Sequence, residues 1–236
     1  MDDMFTRTRA LIGAHALETL QNSRVAVFGV GGVGGHCVEA LVRSGVGHLL
    51  LVDGDDVAES NLNRQAVAYR STIGRSKAEA MRERMLDINP DADITALRAF
   101  YLPGDTHGVW ERPLDLVVDA IDTVAAKADL ALQAQNHGVR IVSCMGAGNK
   151  RNPFLFEAAD LSETSVCPLC RAMRKACRDL GVKQLRVVYS REPRASAGVE
   201  GEGRNGRPAP ASIMTVTATA GLLLASEAIR MLTEDC

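Results

Sequence analysis

At 236 residues the chain is long for one domain and short for two, and its composition is that of an ordinary globular protein, so one domain spanning 1–236 with a few insertions is expected. A net charge of −2 excludes bulk attraction to nucleic acid or anionic membrane, and six cysteines are too sparse for a disulfide scaffold. The average hides an uneven distribution, because residues 171–207 hold ten Lys or Arg against four acids.

The opening "MDDMFTRTRALIG" has no apolar core of the signal-peptide kind, and residues 8–21 read as one amphipathic helix. Arg24 to Gly29 reads as a buried strand, Gly34 to Ser44 as a helix and His48 to Asp53 as a second buried strand. Lys77 to Asn89 is a helix stopped by Pro90, and Ile94 to Phe100 a strand. Asp115 to Ala120 is another strand, Ala125 to His137 a helix closed by Gly138, and Arg140 to Cys144 a strand again. Strands alternating with helices imply right-handed crossovers and a parallel sheet. The expected fold class is therefore α/β, a Rossmann-like doubly wound and mostly parallel sheet with helices on both faces. Its nucleotide-binding core spans about 23–150 and a substrate-side extension about 151–236.

In that extension "FLFEAADLSETS" suggests a strand leading into a loop, Pro168 to Leu180 a basic helix and Gln184 to Ser190 a short strand. Residues 195–211, rich in Gly, Pro, Ala and charge, read as a loop. The stretch from Ile213 to Leu232 is apolar but interrupted by Thr215, Thr217, Thr219, Glu227 and Arg230, so a helix packed on the sheet is expected rather than a membrane span. A reduced, cytoplasmic protein is the simplest expectation.

The first chemical signal is "VAVFGVGGVGGHCVEAL". Gly29, Gly31, Gly32 and Gly34 follow a strand and open a helix, where bare backbone and helix amides can approach phosphate. Asp53 ends the next strand, where a carboxylate can bond ribose hydroxyls. Both an NAD enzyme and an ATP enzyme can begin this way. The segment that follows favours ATP: Asn61, Asn63, Arg64, Gln65 and Lys77 gather polar groups and two cations where pyrophosphate would leave.

The blocks "GVGGVGG", "VDGDDVAESNLNRQ", "GRSKAEAMRERMLDINP" and "VVDAIDTVAAKADL" strongly resemble the ubiquitin-activating-enzyme-like superfamily, which includes the ThiF, MoeB and HesA proteins. Within it, "TRALIG", "CMGAGNKRNP", "CPLCRAMRKACRDLGV", "VVYSREP" and "ASIMTVTATAGLLLASEAI" are most similar to the branch that dehydrates threonylcarbamoyladenosine in tRNA. The resemblance implies a glycine turn and ribose carboxylate at Gly29 to Gly34 and Asp53. It implies nucleotide contacts at Asn61, Arg64, Gln65 and Lys77, and an Arg reaching the partner subunit's phosphates at Arg9. It also implies a carboxylate at Asp122 that holds Mg2+ with ATP. Asp122 follows the strand "DLVVDA" at its carboxyl end, which suits that role, though an Asp there would equally suit a helix cap.

The implied activity is ATP-dependent cyclisation of N6-threonylcarbamoyladenosine in tRNA through an acyl-adenylate, by a homodimer. The rival is adenylation of a ubiquitin-like sulfur-carrier protein, with a sulfur-transfer partner; a non-catalytic nucleotide sensor is opposed by the intact Arg64, Lys77 and Asp122. Cys167 and Cys170 form one C-x-x-C, whereas sulfur-carrier-activating relatives use two such pairs to hold zinc; only Cys177 and Cys236 could complete a set here. Arg171, Arg174, Lys175 and Arg178 share one helix face and form a basic stripe suited to tRNA phosphates.

Overall fold

A computed structural model describes residues 3–104, 107–195 and 209–234. Most of the expected 195–211 loop therefore lies outside the described residues. Seven strands make one sheet, β1 (Arg24–Phe28), β2 (His48–Val52), β3 (Asp93–Leu97), β4 (Leu116–Asp119), β5 (Arg140–Cys144), β6 (Phe156–Asp160) and β7 (Arg186–Ser190). Their order is β3-β2-β1-β4-β5-β7-β6, parallel throughout except that β6 runs antiparallel to β7. The reversal of direction in strand order at β1 and β4 opens a crevice at their carboxyl ends, the place where such sheets bind ligands.

The five inner strands are buried over nearly their whole length because both faces are covered, while the edge strands β3 and β6 are only partly buried. Val25 and Val27 of β1 point into one core, Ala26 and Phe28 into the other. The first core is closed by α2 (Ala14–Asn22), α3 (Gly34–Ser44), α4 (Lys77–Ile88) and α7 (Met214–Thr233); the second by α5 (Val124–His137) and α6 (Pro168–Leu180). In α7, Val216, Ala220, Leu224, Ala228 and Leu232 recur at four-residue spacing and are buried. Burying each leucine contributes roughly 1.5–3 kcal/mol. By length and composition alone α7 would suffice to cross a membrane, yet half of it is buried inside the fold. Gly221 explains how it packs: a Cβ there would lie 2.4 Å from the Val33 carbonyl oxygen, so only glycine lets α7 press on the start of α3.

Two expectations need correction. The helix over 8–21 is two helices, α1 (Thr6–Ile12) and α2, because Gly13 takes φ 87° and ψ 162° and turns the chain between them. The strand over 94–100 ends at Leu97, and Phe100 is half exposed beyond it.

Candidate nucleotide and substrate site

The glycine turn is built by sterics. Gly29 sits at φ 87°, and a Cβ there would meet the Ala120 carbonyl oxygen at 2.8 Å; one on Gly34 would lie 1.8 Å from the Gly29 carbonyl oxygen. Glycine at these two positions lets β1 turn tightly into α3 against the end of β4. No side chain caps α3, so the positive end of its dipole lies uncompensated by a side chain at the glycine turn, with Gly35 N–H taken by the Gly31 carbonyl at 2.9 Å.

Around this turn the structure gathers most of the expected residues. Val30 N–H donates to Asp53 Oδ2 at 2.7 Å and Asp55 N–H to Asp53 Oδ1 at 2.8 Å, which fixes the carboxylate at the tip of β2. Burial holds the Asp53 pKa above the usual carboxylate range, against the two amide bonds and the nearby Lys77. Each carboxylate oxygen keeps a lone pair for a ribose hydroxyl. The Arg64 stem lies over Gly32, its Cγ 3.3 Å from where a Cβ would stand. Its Nη1 donates to the Ser60 carbonyl at 2.9 Å and to Asn63 Oδ1 at 2.8 Å. Gln65 is buried beside Gly31, and its Oε1 has no hydrogen-bond partner. An orphaned buried acceptor against an open glycine turn fits a ligand that brings a donor.

Lys77 is buried at the first position of α4, where a cation opposes the helix dipole. Its Nζ donates to Asp55 Oδ2 at 3.1 Å, which compensates the charge and ties Lys77 to the loop carrying Asp53. Asn61 is also buried, but its Oδ1 accepts from Ala58 N–H at 3.1 Å and so holds the local turn. Asp122 is exposed two residues beyond Ala120, on the same edge. The capping residue of α5 is Thr123, so Asp122 is not the helix cap that its position also suited.

Arg9 is not brought to this site within one chain. It pairs with Asp3 at 2.8 Å on α1, one turn from Phe5, which packs beside Gly45 at the opposite end of α3. The basic stripe is also reduced. Arg171, Lys175 and Arg178 are exposed, while Arg174 Nη1 donates to the Thr164 hydroxyl and, at 2.9 Å, to its carbonyl oxygen.

Sequence reasoning missed the centre beneath the site. Lys127 and Asp119 have no exposed side-chain surface and pair at 2.8 Å. Lys127 Nζ also donates to the Cys144 carbonyl at 2.8 Å and the Ile121 carbonyl at 3.3 Å, and the Ser143 hydroxyl donates to Asp119. The pair thus fastens β4, β5 and the loop leading to Asp122. His36 was missed too; its Nε2 lies 3.0 Å from the Arg64 carbonyl. The one available signal for the pair was a Lys in α5 that interrupts its apolar face.

Comparison with known proteins places this geometry. A model of the ThiF family matches residues 5–235. The tRNA threonylcarbamoyladenosine dehydratase of Bacillus subtilis is 39% identical over 241 residues, covering 98% of this chain and 95% of that protein. The crystal structure of the Escherichia coli tRNA N6-threonylcarbamoyladenosine dehydratase in complex with ATP superposes with a TM-score of 0.89 at 31% identity, covering 98% of this chain and 94% of that one. The same enzyme in complex with AMP gives the same TM-score of 0.89 and the same coverage.

Proposed function

The chain belongs to the ThiF family, and from that premise we propose that it cyclises N6-threonylcarbamoyladenosine in tRNA with the consumption of ATP, acting as a single adenylation domain over 1–236. The observation that carries the reading is the open glycine turn with Arg64 above it and the orphaned Gln65 beside it, in a chain like the named dehydratases over almost its whole length.

The chemistry asks little general-base work of the protein, because the threonyl carboxylate is already a nucleophile. Gly29 to Gly34 and the start of α3 cradle the phosphates, and Asp53 holds the ribose. Arg64 and Lys77 meet the charge that grows as pyrophosphate leaves, with Asn61 and Gln65 orienting the nucleotide. The carbamoyl group then attacks the acyl-adenylate, AMP departs and a ring closes with net loss of one water from the nucleoside. Asp122 is the residue to hold Mg2+, which when bound neutralises charge on the phosphates. Among the described residues no three His, Cys, Asp or Glu cluster to hold a metal, so such an ion would take its remaining ligands from ATP and water.

The exposed Arg171, Lys175 and Arg178 suit the tRNA backbone. A homodimer is the assembly this reading expects, and the exposed Tyr69, Met214 and Leu222 beside a groove of about 450 Å³ support it. In that assembly Arg9 reaches the partner's phosphates. The five described cysteines are all free thiols, which fits the cytoplasm.

The decisive assay incubates the pure protein with ATP, Mg2+ and tRNA carrying threonylcarbamoyladenosine, then weighs the nucleosides. Loss of one water, with AMP released in equal amount, is expected. An unchanged nucleoside, with AMP formed on a sulfur-carrier protein instead, would transfer the assignment to the rival reading.

A further inference from the structure

The C-x-x-C pair lies outside the machinery just described, and its setting is unusual. Cys167 is the residue that precedes the first turn of the 13-residue α6, with Pro168 opening the helix. Its sulfur accepts hydrogen bonds from the backbone N–H groups of Cys170, Gly146 and Leu169 and from the Cys170 thiol. Three amides converging on one sulfur form a cradle for negative charge, and a helix start adds its dipole. Val166, immediately before, is held at φ 62°, a left-handed conformation strained for a β-branched residue. That strained residue is exposed, and the turn it makes delivers Cys167 into the cradle just beneath the surface.

Cys170 is fully buried one helical turn away. Residues three apart on a helix have Cα atoms about 5 Å apart, within the span of about 4.4–6.8 Å between Cα atoms that a disulfide allows. Cys167 is itself buried, 3% exposed, beneath the exposed Val166, so the pair has one sulfur poised as thiolate just under the surface turn and a second, deeper one within reach of it. We propose that Cys167 and Cys170 form a thiol–disulfide exchange site whose substrate class is the low-molecular-weight disulfides, with Cys167 attacking and Cys170 resolving.

The step balances without further reagents. The Cys167 thiolate attacks one sulfur of RSSR; a Cys167–S–R bond forms as the S–S bond breaks, and RS⁻ leaves and takes a proton. Cys170 loses its proton and attacks Cys167 Sγ, expelling the second RS⁻. Two cysteine thiols are oxidised to one disulfide, and RSSR is reduced to two RSH.

The electrostatics agree with these roles. The Cys170 thiol and the three amides hold the Cys167 thiol well below the ordinary range, against its burial. Bonding to Cys167, together with burial, pushes Cys170 up. Elsewhere burial pushes Cys144 up to about 12 and Cys177 up to about 11, so the same chain carries its own unreactive controls. A structural metal is the competing use of such a pair. Cys236 lies outside the described residues, and no group of three candidate ligands is assembled among the described ones.

The test uses the full chain, reduced, then exposed to glutathione disulfide, with free thiols blocked and the protein mapped by mass. The expected product is a Cys167–Cys170 bridge, with Cys37, Cys144 and Cys177 still free. With limiting iodoacetamide on the native wild-type protein, Cys167 should alkylate about tenfold faster than those three. Cys170→Ser should stall as a Cys167–glutathione mixed disulfide, and Cys167→Ser should leave Cys170 unmodified. Equal alkylation of all cysteines, which requires no variant to fold, would overturn the proposal. Stoichiometric zinc retained by the purified protein and shielding both thiols from glutathione disulfide would overturn it in favour of a metal site.

Discussion

The edge built from β1, β2 and α3 and the edge built from β5 and α6 face the same crevice but are made differently. On the first, the groups that would meet ATP are mostly backbone or anchored to neighbouring backbone: a glycine turn, and Asp53 fixed by two amides. On the second, the positioned groups are side chains and a loop held by partners outside their own turn, such as Gly146 beside Cys167 and Arg174 on Thr164. Chemistry shared by a whole family fits the first kind of construction, because a nucleotide's shape dictates backbone geometry. Chemistry that varies fits the second, where a few side chains can change without rebuilding a turn.

The sharpest way to break this contrast is at the joint. Lys127 ties β4 to β5, and removing it leaves Asp119 charged and dry. Lys127→Met should cost about 3–5 kcal/mol of stability. The double change to Lys127→Met and Asp119→Leu should recover most of the loss in urea unfolding; no recovery would mean that the bonds to the Cys144 and Ile121 carbonyls, not charge pairing, hold the joint.

Next come Arg64→Ala and Lys77→Ala on the first edge. Each should lower the adenylation rate by about 2–4 kcal/mol, a factor of roughly 30 to 1,000, with the far-UV spectrum unchanged. Pyrophosphate release at the normal rate in both variants would remove the two cations from the phosphate site.

On the second edge, Arg171→Glu with Arg178→Glu should weaken tRNA binding and flatten its salt dependence by about 0.7–0.9 in slope per lost contact, leaving ATP binding intact. Binding curves at two salt concentrations decide it; an unaltered slope moves the docking surface away from α6.

The smallest effect concerns Glu227, buried on α7 and bonded to Arg186 of β7 and Arg230 at 2.6 Å each. Burial raises its pKa, but the two guanidinium groups outweigh it and hold the carboxyl below 4.5. A carboxylate lowered in this way stabilises the fold above the unfolded pKa and loses that contribution as pH falls through the folded one. Glu227→Gln should therefore destabilise by about 1 kcal/mol at pH 7, and the difference from wild type should shrink as the pH falls below the ordinary glutamate range. A gap that stays constant with pH would point to packing rather than charge.

What could be read from the sequence follows the same division. The five inner strands and the glycine turn were legible because burial on both faces and bare backbone leave local patterns, whereas the half-buried edge strand β3 was drawn too far toward Phe100. Gly13 was misread because an amphipathic period continues across it while its backbone does not. Asp119 and Lys127 were missed because their meeting is set by the path from β4 over the crevice into α5, which has no fixed spacing. Arg174 was counted with its neighbours on the stripe because periodicity gives a helix face, not the turn at Thr164 that occupies its guanidinium. Arg9 was grouped with the site by resemblance alone, whereas within one chain it pairs with Asp3 on α1, away from the glycine turn.

Gly221 carries a consequence for how the molecule is made. It lets α7 press against the Val33 carbonyl, and Thr217 on the same helix stands 3.5 Å from the Gly32 Cβ position. The glycine turn is thus backed by a helix far along the chain. A ribosome releases that helix well after α3, so the nascent amino-terminal half emerges with one face of α3 bare. Contacts this distant close slowly, and the turn gains its backing only after synthesis has run through α7.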